Sequence, residues 1–180
     1  MKVNLVISPS QQTGNKCKCG DTESDHMHRI GMLLHENLRT DEQLNVYLIP
    51  KISSGTDAEK LKLAVNLSND FIRRNGGAGY HVALHSDAGG YATGCSVLFK
   101  SEDGQKIGIP IMAEMANLTP GKDVGLRRRD DLYELNKTLA VATLVEVSFH
   151  DEQKEARWIH DNLKPIADAL YRGILKGVGL

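Results

Sequence analysis

Two rhythms of apolar positions alternate along this chain. Short, nearly continuous apolar runs occur at residues 2–8, Leu44 to Ile49, Tyr80 to Leu84, Cys95 to Phe99 and Leu139 to Phe149, and each predicts a strand. Between them the apolar residues return every third or fourth position. Met27, Ile30, Leu34 and Leu38 form one such face; Leu61, Ala64, Val65, Ser68, Phe71 and Ile72 form another. Thr22-Glu23-Ser24-Asp25 and Thr56-Asp57-Ala58-Glu59 open these helices with a capping pattern. Asn75-Gly76-Gly77-Ala78-Gly79 ends the second one and turns into the next strand. A third helix is expected from about Gln105 to Asn117. The C-terminus reads as helical with Trp158, Ile159, Ile166, Leu170 and Ile174 facing inward, broken or restarted at Pro165. Residues 9–22 and 119–131 read as loops, and Leu132 to Leu135 as a short strand or turn. Strands alternating with helices predict an α/β fold: one twisted, mostly parallel sheet with helices on both faces. No linker interrupts the pattern, so residues 1–180 read as one domain.

Composition narrows the picture mainly by exclusion. Of 180 residues, 41% are hydrophobic and 25% charged, the balance of a soluble globular domain. A formal net charge of −1 offers no field for nucleic acid. No apolar run reaches the roughly 18–20 residues of a membrane span, and the N-terminal run is too short for a secretory signal. Without a signal, the expected location is the cytoplasm, or outside it after export as part of a longer precursor. Cys17, Cys19 and Cys95 are odd in number and irregular in spacing, and C-x-C is tighter than the usual zinc knuckle; they read as free thiols. No Gly-rich phosphate loop follows the first strand, which argues against a nucleotide-binding fold.

The chemistry sits at strand ends. The run Tyr80 to Leu84 ends in His85, and Leu144-Val145-Glu146-Val147 carries a lone carboxylate in an otherwise apolar strand. A buried ionisable group is costly unless it is paired, ligated or catalytic. In open α/β sheets that edge is where ligands bind. With Glu23 in the first turn of its helix, these groups suggest a hydrolytic metal site. On an extended strand Glu146, Ser148 and His150 point the same way, so His150 can reach the same place. Glu23 and His26 stand i and i+3 on a helix and could share a metal. His28, His35, His81 and His160 have no companion pattern. Arg127-Arg128-Arg129 reads as a solvated loop or as a clamp for an anionic substrate.

Five segments in order resemble one family, the zinc-dependent N-acetylmuramoyl-L-alanine amidases of the type 3 group, found in autolysins, spore lytic enzymes and phage endolysins. They are Ile7-Ser8-Pro9-Ser10 after the first strand, Glu23 opening the first helix, Leu84-His85-Ser86-Asp87-Ala88 beside I-H-x-N-A, Gly94 to Phe99 beside G-x-x-V-x-Y, and Leu144 to Phe149 beside L-x-E-x-G-F. The resemblance implies a sheet of about six strands and one Zn2+. It implies Glu23 and His85 as zinc ligands, Glu146 as the catalytic carboxylate, and peptidoglycan as the partner. Arg127 and Arg128 would then meet stem-peptide carboxylates. The family's first ligand, a His in a G-H-G-G loop, is missing from Ser8-Pro9-Ser10-Gln11-Gln12. Gln11 or Gln12 fills its place, or His150 or His26 substitutes, or the site is degenerate. Ser8 to Gln12 and Phe149-His150-Asp151 resemble a branch from clostridia and related firmicutes that begins I-S-P-S-x-Q and ends its last strand in F-H-D.

Overall fold

A computed structural model describes residues 2–89, 92–122 and 125–180. The elements run β1 (Val3–Pro9), α1 (Glu23–Leu38), β2 (Leu44–Leu48), α2 (Asp57–Arg74), β3 (Tyr80–Asp87), β4 (Ser96–Phe99), α3 (Glu102–Ala116), β5 (Gly125–Arg128), α4 (Tyr133–Lys137), β6 (Val141–Phe149), α5 (Gln153–Asp161) and α6 (Leu163–Val178). Both expected capping boxes form: Thr22 with Asp25 opens α1, and Thr56 with Glu59 opens α2. The C-terminal helical stretch divides at Asn162, with Pro165 accommodated in the first turn of α6, where a missing N–H costs nothing.

The six strands form one sheet in the order β2-β1-β3-β6-β4-β5. β2, β1, β3 and β6 are parallel neighbours; β4 runs antiparallel to β6 and parallel to β5. The larger core lies on one face. There Leu5, Ile7, Val82, Leu84, Val145 and Val147 meet the apolar sides of α1, α3, α5 and α6. The opposite face is covered more thinly by α2 and α4, against Val6, Ile49, Ala83, Leu98 and Leu144. Period-two alternation along β3 therefore sends Val82 and Leu84 into the main core and His81, Ala83 and His85 to the thinner side.

Two segments differ from the sequence expectation. Gly125–Arg128, expected as loop, is the edge strand β5, and Leu126 is its apolar contact with the main core. Four residues with a single apolar side chain carry no readable periodicity. Leu132 to Leu135, expected as strand or turn, leads into the short helix α4, which buries Glu134 and Leu135. Helices this short are held by tertiary contacts, not by propensity.

The α3–α6 crossing is close because Gly173 has no side chain: a Cβ there would lie 2.6 Å from Ile111 Cα. Gly173→Ala must push the helices apart, a strained overpacking that should cost about 1–3 kcal/mol in urea unfolding.

Candidate active site at the sheet edge

The C-terminal ends of β1, β3 and β6 lie side by side, with Pro9 in register with Leu84 and His85 in register with Glu146. His85 is buried there between two carboxylates. Its Nδ1 lies 3.0 Å from Glu23 Oε1, and its Nε2 lies 2.8 Å from Glu134 Oε2. Glu23 is delivered by the first residue of α1 and is also buried. Asn15 Nδ2 donates to Glu23 Oε2 at 2.6 Å, and the Ser86 backbone N–H reaches Oε1 at 3.4 Å. Burial pushes the His85 ring toward neutrality, but Glu134 and Glu23 outweigh it and hold its pKa well above the usual value. Burial likewise raises Glu23, against the larger sum from His85, Asn15 and Ser10, which leaves it low.

Glu134 is the residue that sequence reasoning missed. Its Oε1 accepts from Ser8 Oγ at 2.7 Å and lies 3.3 Å from His81 Nε2. His81 Nδ1 is tied in turn to Ser68 Oγ of α2 at 2.9 Å. Despite full burial, the two histidines hold the Glu134 carboxyl far below the ordinary range. The one available signal was His81 and His85 on the same side of one strand, which together demand an acidic partner; nothing local marks Glu134 as that partner.

Glu146 sits on the other side of His85, on β6. Its Oε2 is buried with no hydrogen-bond partner, alone in this among the described residues. Burial pushes its pKa up to about 8; His85 opposes the rise, and Asp87, Glu23 and Glu134 add to it. A carboxyl so placed exchanges a proton near neutral pH. A cavity of about 190 Å³ opens beside His85, lined also by Gln11, Gln12, Asp57, Ala58 and Leu61.

A family model described as N-acetylmuramoyl-L-alanine amidase matches residues 6–176. The chain belongs to that family. The fold is that of the catalytic domain of CwlV, an N-acetylmuramoyl-L-alanine amidase from Bacillus (Paenibacillus) polymyxa var. colistinus, with a TM-score of 0.82, 17% identity and 99% of each chain covered. It is also that of the amidase AmiC2 of Nostoc punctiforme, with a TM-score of 0.83, 20% identity, and coverage of 100% of this chain and 99% of that one. An amidase from Clostridium difficile 630 matches with a TM-score of 0.82 and 19% identity over 99% of this chain and 97% of its own. No curated protein matches the sequence.

Glu23, His85 and Glu146 converge at one sheet edge, and the other expected site residues lie around or away from it. Gln11, expected as a possible ligand, is spent on structure: its oxygen accepts from the Ile52 N–H at 2.9 Å and its amide donates to the Pro9 carbonyl at 3.0 Å. Gln12 lines the cavity with His85, and its oxygen accepts from Asn15 at 2.9 Å. A register shift between His85 and Asp87 breaks the simple alternation along β3 and β6. His150, just past β6, donates from Nδ1 to the Ser86 carbonyl at 2.8 Å. His26 turns toward Cys17, Cys19, Asp21 and His160 and not toward His85, a His/Cys/Asp cluster able to hold a metal. Arg127 and Arg128 stand exposed on the edge strand, Arg128 beside Asp130 at 3.3 Å. Arg129 is paired with Asp131, which holds its pKa up, and the charges of Asp87 and Glu146 add to the rise. Residues 90, 91, 123 and 124 lie outside the described residues.

Removing Glu134 strands two buried histidines. Glu134→Ala should destabilise the fold by about 3–5 kcal/mol, the cost of breaking a buried pair from one side, read by chemical denaturation.

Proposed function

We propose that this amidase hydrolyses the bond between the lactyl group of N-acetylmuramic acid and the stem-peptide L-alanine of peptidoglycan, with Zn2+ as its cofactor. The observation that carries the reading is the unpartnered, buried Oε2 of Glu146 in register with His85. The donor chemistry supports zinc. His85 Nε2–H donates to Glu134, and Nδ1 faces the acceptor-only Glu23 at 3.0 Å, a contact that the second ring proton bridges and that a cation can bridge in its place. Imidazole nitrogen and carboxylate oxygen are ordinary zinc donors, and a carboxylate behind the imidazole is the usual orienting partner. Glu23 and His85 would hold the ion, with Gln12 the side chain best placed in the shared cavity to complete the set.

Zinc bound there supplies Lewis acidity, enough to make water ionise near neutral pH. The remaining work belongs to the chain. Glu146 accepts the proton of the attacking water and returns it to the departing L-alanine amine. Glu134 fixes the tautomer and tilt of His85. Arg127 and Arg128, beside Arg129, meet the carboxylates of the stem peptide. Such a substrate calls for action at the wall, after release at lysis or after export.

A second reading, a wall-binding module without turnover, is favoured by the consumption of Gln11 in structural hydrogen bonds. Digestion of purified peptidoglycan with and without a chelator, read by mass spectrometry, separates the two. New L-alanine amino termini without new reducing sugars, lost on chelation, are expected; a folded, zinc-supplied protein that binds walls and releases nothing would favour the second reading. Glu146→Gln should lower turnover by about 10²–10⁴-fold, the worth of a general acid–base group, with zinc content unchanged. Glu134→Gln should weaken zinc binding by about 10–100-fold, read by competition with a chromogenic chelator.

A further inference from the structure

Cys17, Cys19, Asp21, His26 and His160 gather at the opposite end of the loop that leads into α1, and none of them takes part in the site at His85. Two triads meet at His26, Asp21-His26-His160 and Cys17-Cys19-His26, the ligand atoms of each within 4.8 Å of one another. His26 Nε2 lies 3.3 Å from Asp21 Oδ2, 3.5 Å from His160 Nδ1 and 3.8 Å from Cys19 Sγ. His160 Nδ1 and Asp21 Oδ2 are themselves 3.5 Å apart. Donors on a tetrahedral zinc ion, at about 2.0–2.3 Å from the metal, stand about 3.3–3.8 Å from one another, the spacing of the Asp21-His26-His160 triad. We propose that Asp21, His26 and His160 form a second, structural cation site, selective for zinc-like ions, on which Cys19 closes as the fourth donor, and that it fastens the loop before α1 to α1 and α5.

The local chain is built for it. Residues 16–22 fold back on themselves through the Lys16–Thr22 bridge and the Cys17 N–H to Asp21 carbonyl bond of 2.9 Å. Gly20 turns that hairpin at a φ of 110°, a conformation open to glycine. Cys17 meets the other ring nitrogen of the imidazole. Its buried Sγ lies 3.4 Å from His26 Nδ1, where it can accept a hydrogen bond from Nδ1–H, the tautomer that leaves Nε2 bare toward the other donors. His26 is buried, whereas Asp21 and His160 are each more than a third exposed, so an ion enters from solvent at their side. A thiol and two imidazoles disfavour calcium and magnesium, which take oxygen ligands, and favour zinc.

The ion would link three separate pieces: the hairpin, the start of α1 three residues after Glu23, and the end of α5. The same loop carries Gln12 and Asn15, which surround Glu23. Its anchoring therefore positions the edge of the hydrolytic site without taking part in it.

The test is zinc per chain, measured by elemental analysis on the full chain expressed with zinc and dialysed under reductant, together with cobalt(II) substitution read optically. The variants are Cys19→Ser combined with His160→Gln, and separately His85→Ala. Two zinc ions per wild-type chain are expected. One should be lost in the double variant, along with the near-ultraviolet thiolate-to-cobalt band, while the circular dichroism stays unchanged. His85→Ala should keep that band. A single wild-type zinc that disappears in the double variant and survives in His85→Ala would support this site and remove zinc from the proposed hydrolytic one. Zinc content unchanged in the double variant, or a wild-type cobalt spectrum with no thiolate band, would overturn the inference.

Discussion

Glu134 brings a carboxylate to a position only 4% exposed, on the thin side of the sheet. Burying such a charge without partners costs several kcal/mol. It is tolerated because three side chains from two strands converge on it: Ser8 from β1, and His81 and His85 from β3, with Ser68 of α2 bracing His81. The same contacts fix the orientation of His85, and through His85 the position of Glu23. Much of the geometry at the sheet edge follows from how one short helix, α4, lays its second residue across β3.

That constraint bears on how the proposed site would hold a cation. The loop after β1 has no histidine to offer Glu23. Ser10, Gln12 and Asn15 stand there instead, and Asn15 hydrogen-bonds the carboxylate directly while Gln12 holds Asn15. Carboxamides carry no charge and bind zinc more weakly than imidazole. On the proposed reading, the lost donor strength is offset by electrostatics. Glu23, Glu134 and Glu146 surround one imidazole, and that concentration of negative charge favours any cation that enters. The unpartnered oxygen of Glu146 marks where this field is least satisfied by the protein itself.

Much of this was legible in the sequence because it depends on local chemistry. Thr22 and Thr56 announced their helices, the β3 and β6 runs announced buried strands, and the place of Glu23, His85 and Glu146 within them marked one edge. What was illegible depended on contacts between distant segments. β5 has one apolar residue and becomes a strand only because β4 lies beside it. The antiparallel sense of β4 against β6 leaves no trace in either pattern. Glu134 looks like any surface glutamate until α4 is docked. His81 and His160 looked solitary because their partners come from other elements, Ser68 and Glu134 for the first, Asp21 and His26 for the second.

The C-x-C pair shows the same limit in sharper form. Judged by spacing alone it lacks a second pair, and free thiols are the sensible reading. The fold supplies the missing donors from α1 and α5, two elements that no linear motif connects to residues 17–21. Loops that carry functional residues gain precision when tied to rigid scaffold, and here the scaffold helix is the one that begins with Glu23. A hairpin crosslinked to that helix by an ion would keep Asn15 against the Glu23 carboxylate at little further entropic cost, because the crosslink restricts the loop in advance. The site edge whose first loop offers no imidazole would then be stiffened by the imidazoles of α1 and α5.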